Sequence, residues 1–194
     1  MTQSSEVVYL VDDDLRVREG LTELLTSHSM TVISFGSAAD YLEHSRVDSA
    51  ACLIVDLNMP HIGGLDLQHQ LSGESGPPIV FISGDGDIPS TVRAMKGGAI
   101  EFLTKPLDEI ALITAIRAAF VQDRRLRQRN ADMAKLRERL DSLTPREREV
   151  LPLVVGGLLN KQAAAVLGIS NVTLQVHRGQ IMRCLLYTSP SPRD

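Results

Sequence analysis

Residues 53–67 read LIVDLNMPHIGGLDL. The apolar run ACLIV (51–55) stops at Asp56, and helical spacing begins at residue 64. An apolar run without alternation suits a strand covered on both faces. The same phrase recurs on either side. VVYLV (7–11), MTVISF (30–35), PIVFIS (78–83) and IEFLT (100–104) also read as strands. Residues 15–27, 37–45, 64–72, 89–97 and 107–121 carry helical periodicity between them. Leu15, Leu21, Leu24 and Leu25 form one apolar face; Ile110, Ile113, Ile116 and Phe120 form another. Five strands alternating with five helices predict an α/β, doubly wound, five-stranded parallel sheet. Ligands of such sheets bind at the carboxyl ends of the strands, near the topological switch point.

The strand ends carry a consistent set of residues. Asp12, Asp13 and Asp14 follow the first strand and Asp56 the third; Ser83 ends the fourth, and Thr104-Lys105-Pro106 the fifth. Clustered carboxylates repel one another unless a cation neutralises them. Mg2+ suits one or two carboxylates with a backbone oxygen, waters and a phosphoryl group. A carboxylate beside such a metal can attack phosphorus to give an acyl phosphate. The transferring group needs a metal, an ammonium and hydrogen-bond donors around its oxygens. Asp56 is the candidate nucleophile, Asp13 a metal ligand and Asp12 a second acidic support. Ser83 and Lys105 are candidates for holding the phosphoryl oxygens, and Asp14 reads as a helix N-cap.

YLVDDD (9–14), LIVDLNMPHIGGLDL (53–67) and VFISGDGDIPSTVRAMKGGAIEFLTKP (80–106) together resemble the receiver domain of two-component response regulators. The likeness covers residues 5–122 and implies a flavodoxin-like fold. By that resemblance Asp56 is phosphorylated by a partner sensor histidine kinase. Asp12, Asp13, Asp56 and the Asn58 carbonyl hold Mg2+, Ser83 is the switch hydroxyl, Phe102 the aromatic switch and Lys105 the phosphate-pairing lysine. It further implies that phosphorylation repacks the fourth-helix, fifth-strand surface and favours a homodimer. Haloacid-dehalogenase-like phosphatases also form an aspartyl phosphate, but they carry a second Asp two residues after the nucleophile, where this chain has Asn58. Nucleotide-binding doubly wound domains carry glycines in the first turn; VDDDLRVREG has none there. The chain is therefore not read as an enzyme.

Charge divides the sequence. Residues 1–122 hold 7 Lys/Arg against 17 Asp/Glu, residues 123–194 hold 13 against 7, so the second part suits a polyanion. Residues 107–142 contain no strong breaker, so the last receiver helix is expected to run into a helical linker at 123–142. Leu126, Met133 and Leu140, with Leu136 and Leu143, give it a short coiled-coil-like seam.

LTPREREVL (143–151) signals a helix start, with Thr144 as N-cap, Pro145 in the first turn and Glu147 closing a capping box. A second helix opens near Asn160, Gly168 and Ser170 make a turn, and a third runs 171–183 with Val172, Val176 and Ile181 as its apolar face. Two short helices about a glycine turn are helix-turn-helix geometry. A small helical adaptor has the same spacing. LTPREREVL, NKQ (160–162), LGIS (167–170) and VHRGQIMR (176–183) resemble the LuxR-type DNA-binding domain in its FixJ/NarL-like pairing with a receiver. The likeness makes 143–183 a small all-α domain and 171–183 its recognition helix in double-stranded DNA. Asn160, Lys161, Thr173 and Arg178 become phosphate contacts, and Gln175 and His177 face the DNA. Gln175 stands where a Lys is common, Ala163 where a larger aliphatic is usual, and Pro152 and Gly179 fall inside helices. The implied function is a transcription factor switched by phosphorylation; a phosphorelay receiver without productive DNA binding is the alternative.

The closing CLLYTSPSPRD (184–194) resembles an in-frame translation of the Nextera sequencing adapter. On that likeness Arg183 is the last native residue and the domain lacks its last helix. Cys52 and Cys184 show no metal or redox spacing, and the N-terminus has no basic signal-peptide region. No apolar run reaches the roughly 18 residues of a membrane span, so the chain is expected in the cytoplasm.

Overall fold

The computed structural model describes residues 6–72 and 76–186. The chain divides into two compact units with the boundary between Gln128 and Arg129. Among the described residues no helix is long and apolar enough to cross a membrane.

The first unit is a parallel sheet of β1 (Val7–Val11), β2 (Thr31–Phe35), β3 (Ala51–Asp56), β4 (Ile79–Ser83) and β5 (Glu101–Thr104). Their order is β2-β1-β3-β4-β5, so the chain reverses direction of winding between β1 and β3. Strands β1, β3 and β4 are buried at every position, while the edge strands β2 and β5 are partly exposed. Successive side chains leave opposite faces of the pleat. Tyr9, Leu53, Val55 and Phe81 therefore pack beneath α2 (Ala38–Glu43), α3 (Gly64–Leu71) and α4 (Ile88–Lys96). Leu10, Ile54, Val80 and Ile82 pack beneath α1 (Leu15–Ser27) and the first part of α5 (Glu109–Asp141). Cys52 belongs to this second layer, and complete burial pushes its thiol far above the ordinary value.

Two residues counted on inner helix faces by spacing lie elsewhere. Leu15 and Ile110 sit in the first turns of α1 and α5 and are 56% and 78% exposed. Leu112, fully buried, takes the inner place expected of Ile110.

Helix α5 continues without a break to Asp141, as the missing breaker predicts. The first unit extends past the expected limit at residue 122 for a physical reason. The Asp123 carboxylate is buried and accepts from the Ala51 N–H at 3.0 Å. Arg124 pairs with Glu6, and Arg127 with Asp48 at 2.8 Å. These bonds tie another turn of helix to the amino ends of β1 and β3.

The second unit holds the end of α5, then α6 (Pro145–Val155), α7 (Asn160–Leu167) and α8 (Asn171–Leu186). Leu143, Val150, Ala163, Ala164, Leu174 and Ile181 form its core. Thr144 caps α6 as expected: its hydroxyl accepts from the Glu147 N–H, and the Glu147 carboxylate accepts from the Thr144 N–H at 2.8 Å. Helix α6 passes through Pro152, and α8 through Gly179. Gly168 closes α7 in the left-handed conformation, and the Ser170 hydroxyl accepts from the Thr173 N–H at 3.0 Å.

The apolar face of the third helix differs from the expected one at two positions. Val172 and Val176 are 70% and 54% exposed; Leu174 and Ile181 are the buried pair. The helix also passes its expected end at Arg183 and runs to Leu186. Cys184 and Leu185 continue the side marked by Leu174 and Ile181 and pack against the same core. Residues 187–194 lie outside the described residues.

Candidate functional site

At the carboxyl edge of the sheet, register brings the expected residues together. Asp56 ends β3 beside Ile82 of β4, and Ser83 ends β4 beside Thr104 of β5. Asp12 follows β1 directly, and Lys105 follows β5. The Lys105 ammonium donates to Asp12 Oδ2 at 2.9 Å and to Asp56 Oδ1 at 2.7 Å. Both carboxylates are almost wholly buried, at 1% and 5% exposure. One cation thus holds two carboxylates that would otherwise repel each other.

Local backbone fixes the remaining oxygens. Asp56 Oδ2 accepts from the Asn58 N–H at 2.7 Å, and Asp12 Oδ1 from the Asp14 N–H at 2.8 Å. Asp14 itself caps α1 by accepting from the Arg16 N–H at 2.8 Å. Close packing shapes the loop after Asp56: a Cβ on Gly64 would lie 2.5 Å from the Asp56 carbonyl oxygen, so only glycine fits.

Burial raises the Asp12 carboxyl above its usual range, against the opposing hydrogen bond from Lys105. For Lys105, burial pulls the ammonium down, but hydrogen bonds to Asp56 and Asp12 outweigh it, and the group stays above the usual lysine value.

Ser83 is fully buried and engaged with its own loop: its hydroxyl donates to the Asp85 carbonyl at 2.8 Å and accepts from the Asp85 N–H at 3.2 Å. Phe102 is half-buried, its ring stacked 6.3 Å from Phe81. Asp13 lies beside the pair with an exposed side chain. Among the described residues no group of three acidic, His or Cys side chains is gathered tightly enough to hold a metal. Two converging carboxylates with a backbone oxygen and water are nonetheless the set that Mg2+ accepts, so the residues present fit that ion.

In the second unit, Lys161 at the start of α7 and Thr173 and Gln175 on α8 are exposed. Arg178 and Asn160, both half-buried, bond each other at 2.8 Å and join α8 to α7. His177 is half-buried. Its Nδ1 is buried and has no hydrogen-bond partner among the described residues, and Glu147 of α6, whose carboxyl is lowered chiefly by the hydrogen bonds from Thr144, is lowered a little further by this ring. It is one position past Val176 on a helix that buries Leu174 and Ile181, which turns it partly inward. Val172 and Val176 take the outward positions instead. Spacing missed them because a valine pair four residues apart ordinarily marks a core face.

Residues 8–117 match the response regulator receiver domain, and residues 141–190 the bacterial regulatory proteins, luxR family. The chain belongs to the response regulator family. This response regulator is 43% identical over 178 residues to nodulation protein W of Bradyrhizobium diazoefficiens, covering 91% of this chain and 78% of that relative. It is 44% identical over 191 residues to the response regulator protein TodT of Pseudomonas putida, covering 97% and 84%. Among solved structures it is similar to the response regulator StyR, with TM-score 0.80, 48% identity and coverage of 95% and 94%. It is also similar to full-length FixJ from B. japonicum, with TM-score 0.59, 33% identity and coverage of 96% and 93%. Its two parts are a receiver domain and a LuxR-type DNA-binding domain, which together imply a histidine kinase partner and DNA. Receiver domains generally bind Mg2+ at the phosphorylation site, and response regulators of this kind control transcription and are not enzymes.

Proposed function

We propose that Asp56 accepts a phosphoryl group from a sensor histidine kinase and that the modified chain regulates transcription as a DNA-bound homodimer in the cytoplasm. The observation that carries this is the single Lys105 ammonium held between the buried Asp12 and Asp56. A carboxylate so placed keeps lone pairs for attack, and the ammonium stays to pair with the product.

In the transfer, an Asp56 oxygen forms a bond to phosphorus while the P–N bond to the kinase histidine breaks. The electron pair leaves with the imidazole. Lys105 and Ser83 then hold the phosphoryl oxygens. For Ser83 this means giving up both bonds to Asp85, which releases the β4–α4 loop and opens space towards which Phe102 turns. Asp12, Asp13, Asp56 and the Asn58 carbonyl would hold Mg2+, which when bound neutralises charge on the phosphoryl oxygens. The surface change is a local charge event read out through a two-state element.

For the second unit, Lys161 and Thr173 contact phosphates, while Gln175 faces base edges, where its carboxamide suits adenine. Asn160 and Arg178 fix the angle between α7 and α8 and present what remains of their polar groups to the backbone. That residues 184–194 translate a sequencing adapter is also proposed, on the eleven-residue string alone. Resequencing the locus with unrelated primers and finding the same codons would sink it.

The test uses a small phosphodonor with Mg2+, then titration against promoter DNA at fixed salt, with Asp56→Asn as control. Phosphoryl uptake at Asp56 with tighter DNA binding and dimer formation is the expected result. Uptake with no change in DNA binding would make the relay receiver the better account. No uptake at Asp56 overturns the reading.

A further inference from the structure

A run of contacts links the Asp56 loop to α4, apart from Ser83 and Phe102. Its first step is α3, whose opening residue Gly64 packs on the Asp56 carbonyl and donates its N–H to Leu57 at 3.0 Å. One turn on, Gln68 is buried at 7% exposure. Its Nε2 donates to the Ala94 carbonyl of α4 at 2.9 Å. That oxygen lies in the last turn of α4 and also accepts from the Ala99 N–H at 3.2 Å. The fit continues at Gly97, where a Cβ would lie 2.7 Å from Gln68 Nε2 and 2.6 Å from its Cδ. The far end of α4 is held separately, by Asp87 accepting from the Ser90 N–H and hydroxyl.

A buried carboxamide is a demanding way to fill this space. An apolar side chain would pack as well and leave nothing to satisfy, whereas an amide that loses its acceptor in the interior carries the full desolvation cost. Gln68 therefore favours discrete positions of the α4 end over gradual slippage.

We propose that Gln68 is a positioning residue: it transmits displacement of the Asp56 loop, through α3, to the C-terminal turn of α4. This rests on Asp56 being the phosphoryl acceptor. In the unmodified chain Gln68 holds that turn closed, and phosphorylation resets it.

The experiment uses the full chain with beryllofluoride and Mg2+ as the phosphoryl mimic. Hydrogen exchange is followed at the amides of Gly97, Gly98 and Ala99 and at those of Ser90 and Thr91. In the wild type the mimic changes exchange at both ends of α4. In Gln68→Met the turn at 97–99 exchanges about tenfold faster before any mimic is added, the scale of one lost hydrogen bond. There the mimic then adds little, while Ser90 and Thr91 respond as in the wild type. Gly97→Ala gives a second variant: alone it loosens the same turn, and in a Gln68→Ala background it does not, so the pair is non-additive. A wild-type mimic response at 97–99 in Gln68→Met, or additive effects in the pair, overturns the inference alone. A wild-type chain that takes up no mimic at Asp56 removes the acceptor reading and this inference with it.

Discussion

Lys105 serves two carboxylates with one charge, and its removal leaves both buried and unpaired. Breaking a buried pair costs about 3–5 kcal/mol, and Lys105 keeps a quarter of its side chain in water. Lys105→Met is therefore expected to lower the unfolding free energy of the first unit by roughly 1–3 kcal/mol. Mg2+ should recover part of the loss, seen as a larger metal-dependent rise in urea midpoint than in the wild type. Asp12 adds a pH dependence. Its carboxyl is raised by burial, so folding favours its protonated form, and the penalty grows as pH rises above the ordinary carboxylate value. On the proposal that Asp12 helps hold Mg2+, the ion needs the ionised form, so its affinity should weaken as pH falls towards the raised value. Asp12→Asn should abolish that slope in a Mg2+ titration carried downward in pH from neutrality. A slope unchanged in the variant would assign it elsewhere. At this scale the site was largely legible, because acids and the lysine fall at strand ends in the string itself. The bond of Ser83 to its own loop was not, since a hydroxyl's partner depends on backbone that folds after it.

Among elements, α5 and α6 carry the clearest tests. Asp123→Ala leaves the Ala51 N–H buried without its acceptor, a loss of about 1–3 kcal/mol. The measurable sign is rapid exchange at the Ala51 amide together with a lowered melting temperature of the first unit. Thr144→Ala removes the cap of α6 and is expected to cost the second unit about 1 kcal/mol. The bond from the Thr144 N–H holds the Glu147 carboxyl below its usual range, with His177 adding to it. A depressed acid contributes stability above its unfolded value and loses it as pH falls through the folded one. Glu147→Gln should accordingly destabilise the second unit at pH 7, and the difference from wild type should shrink as pH falls below the usual carboxylate range. The buried strands were readable because both faces are apolar; the edge strands were readable only by position between helices. The phase of α8 was not, because the exposed face carries valines of its own, and two apolar stripes on one helix leave periodicity undecided.

Across the whole molecule, charge is divided between an acidic first part and a basic second part, and the second suits a polyanion. If two chains engage DNA through Lys161 and a few further cations, affinity should fall about a hundredfold between 50 and 200 mM salt. Lys161→Ala is expected to lower the slope of log affinity against log salt by about one per protomer, for every sequence alike. Arg178 is the less clean probe, since its bond to Asn160 makes any substitution structural as well. The order of the two domains was legible end to end, whereas the limit of the first was not: an aspartate 72 residues beyond the Ala51 N–H it accepts from leaves no local trace.

One property of α8 reaches beyond a single chain. The residues that hold it to its neighbours, Leu174, Arg178, Ile181, Cys184 and Leu185, lie along one side, and Val172, Thr173, Gln175, Val176 and Gln180 are exposed. The outward positions can therefore change one substitution at a time while the packing beneath is kept, so that, on the proposal that α8 meets DNA, duplicated genes could acquire new operators without rebuilding the fold.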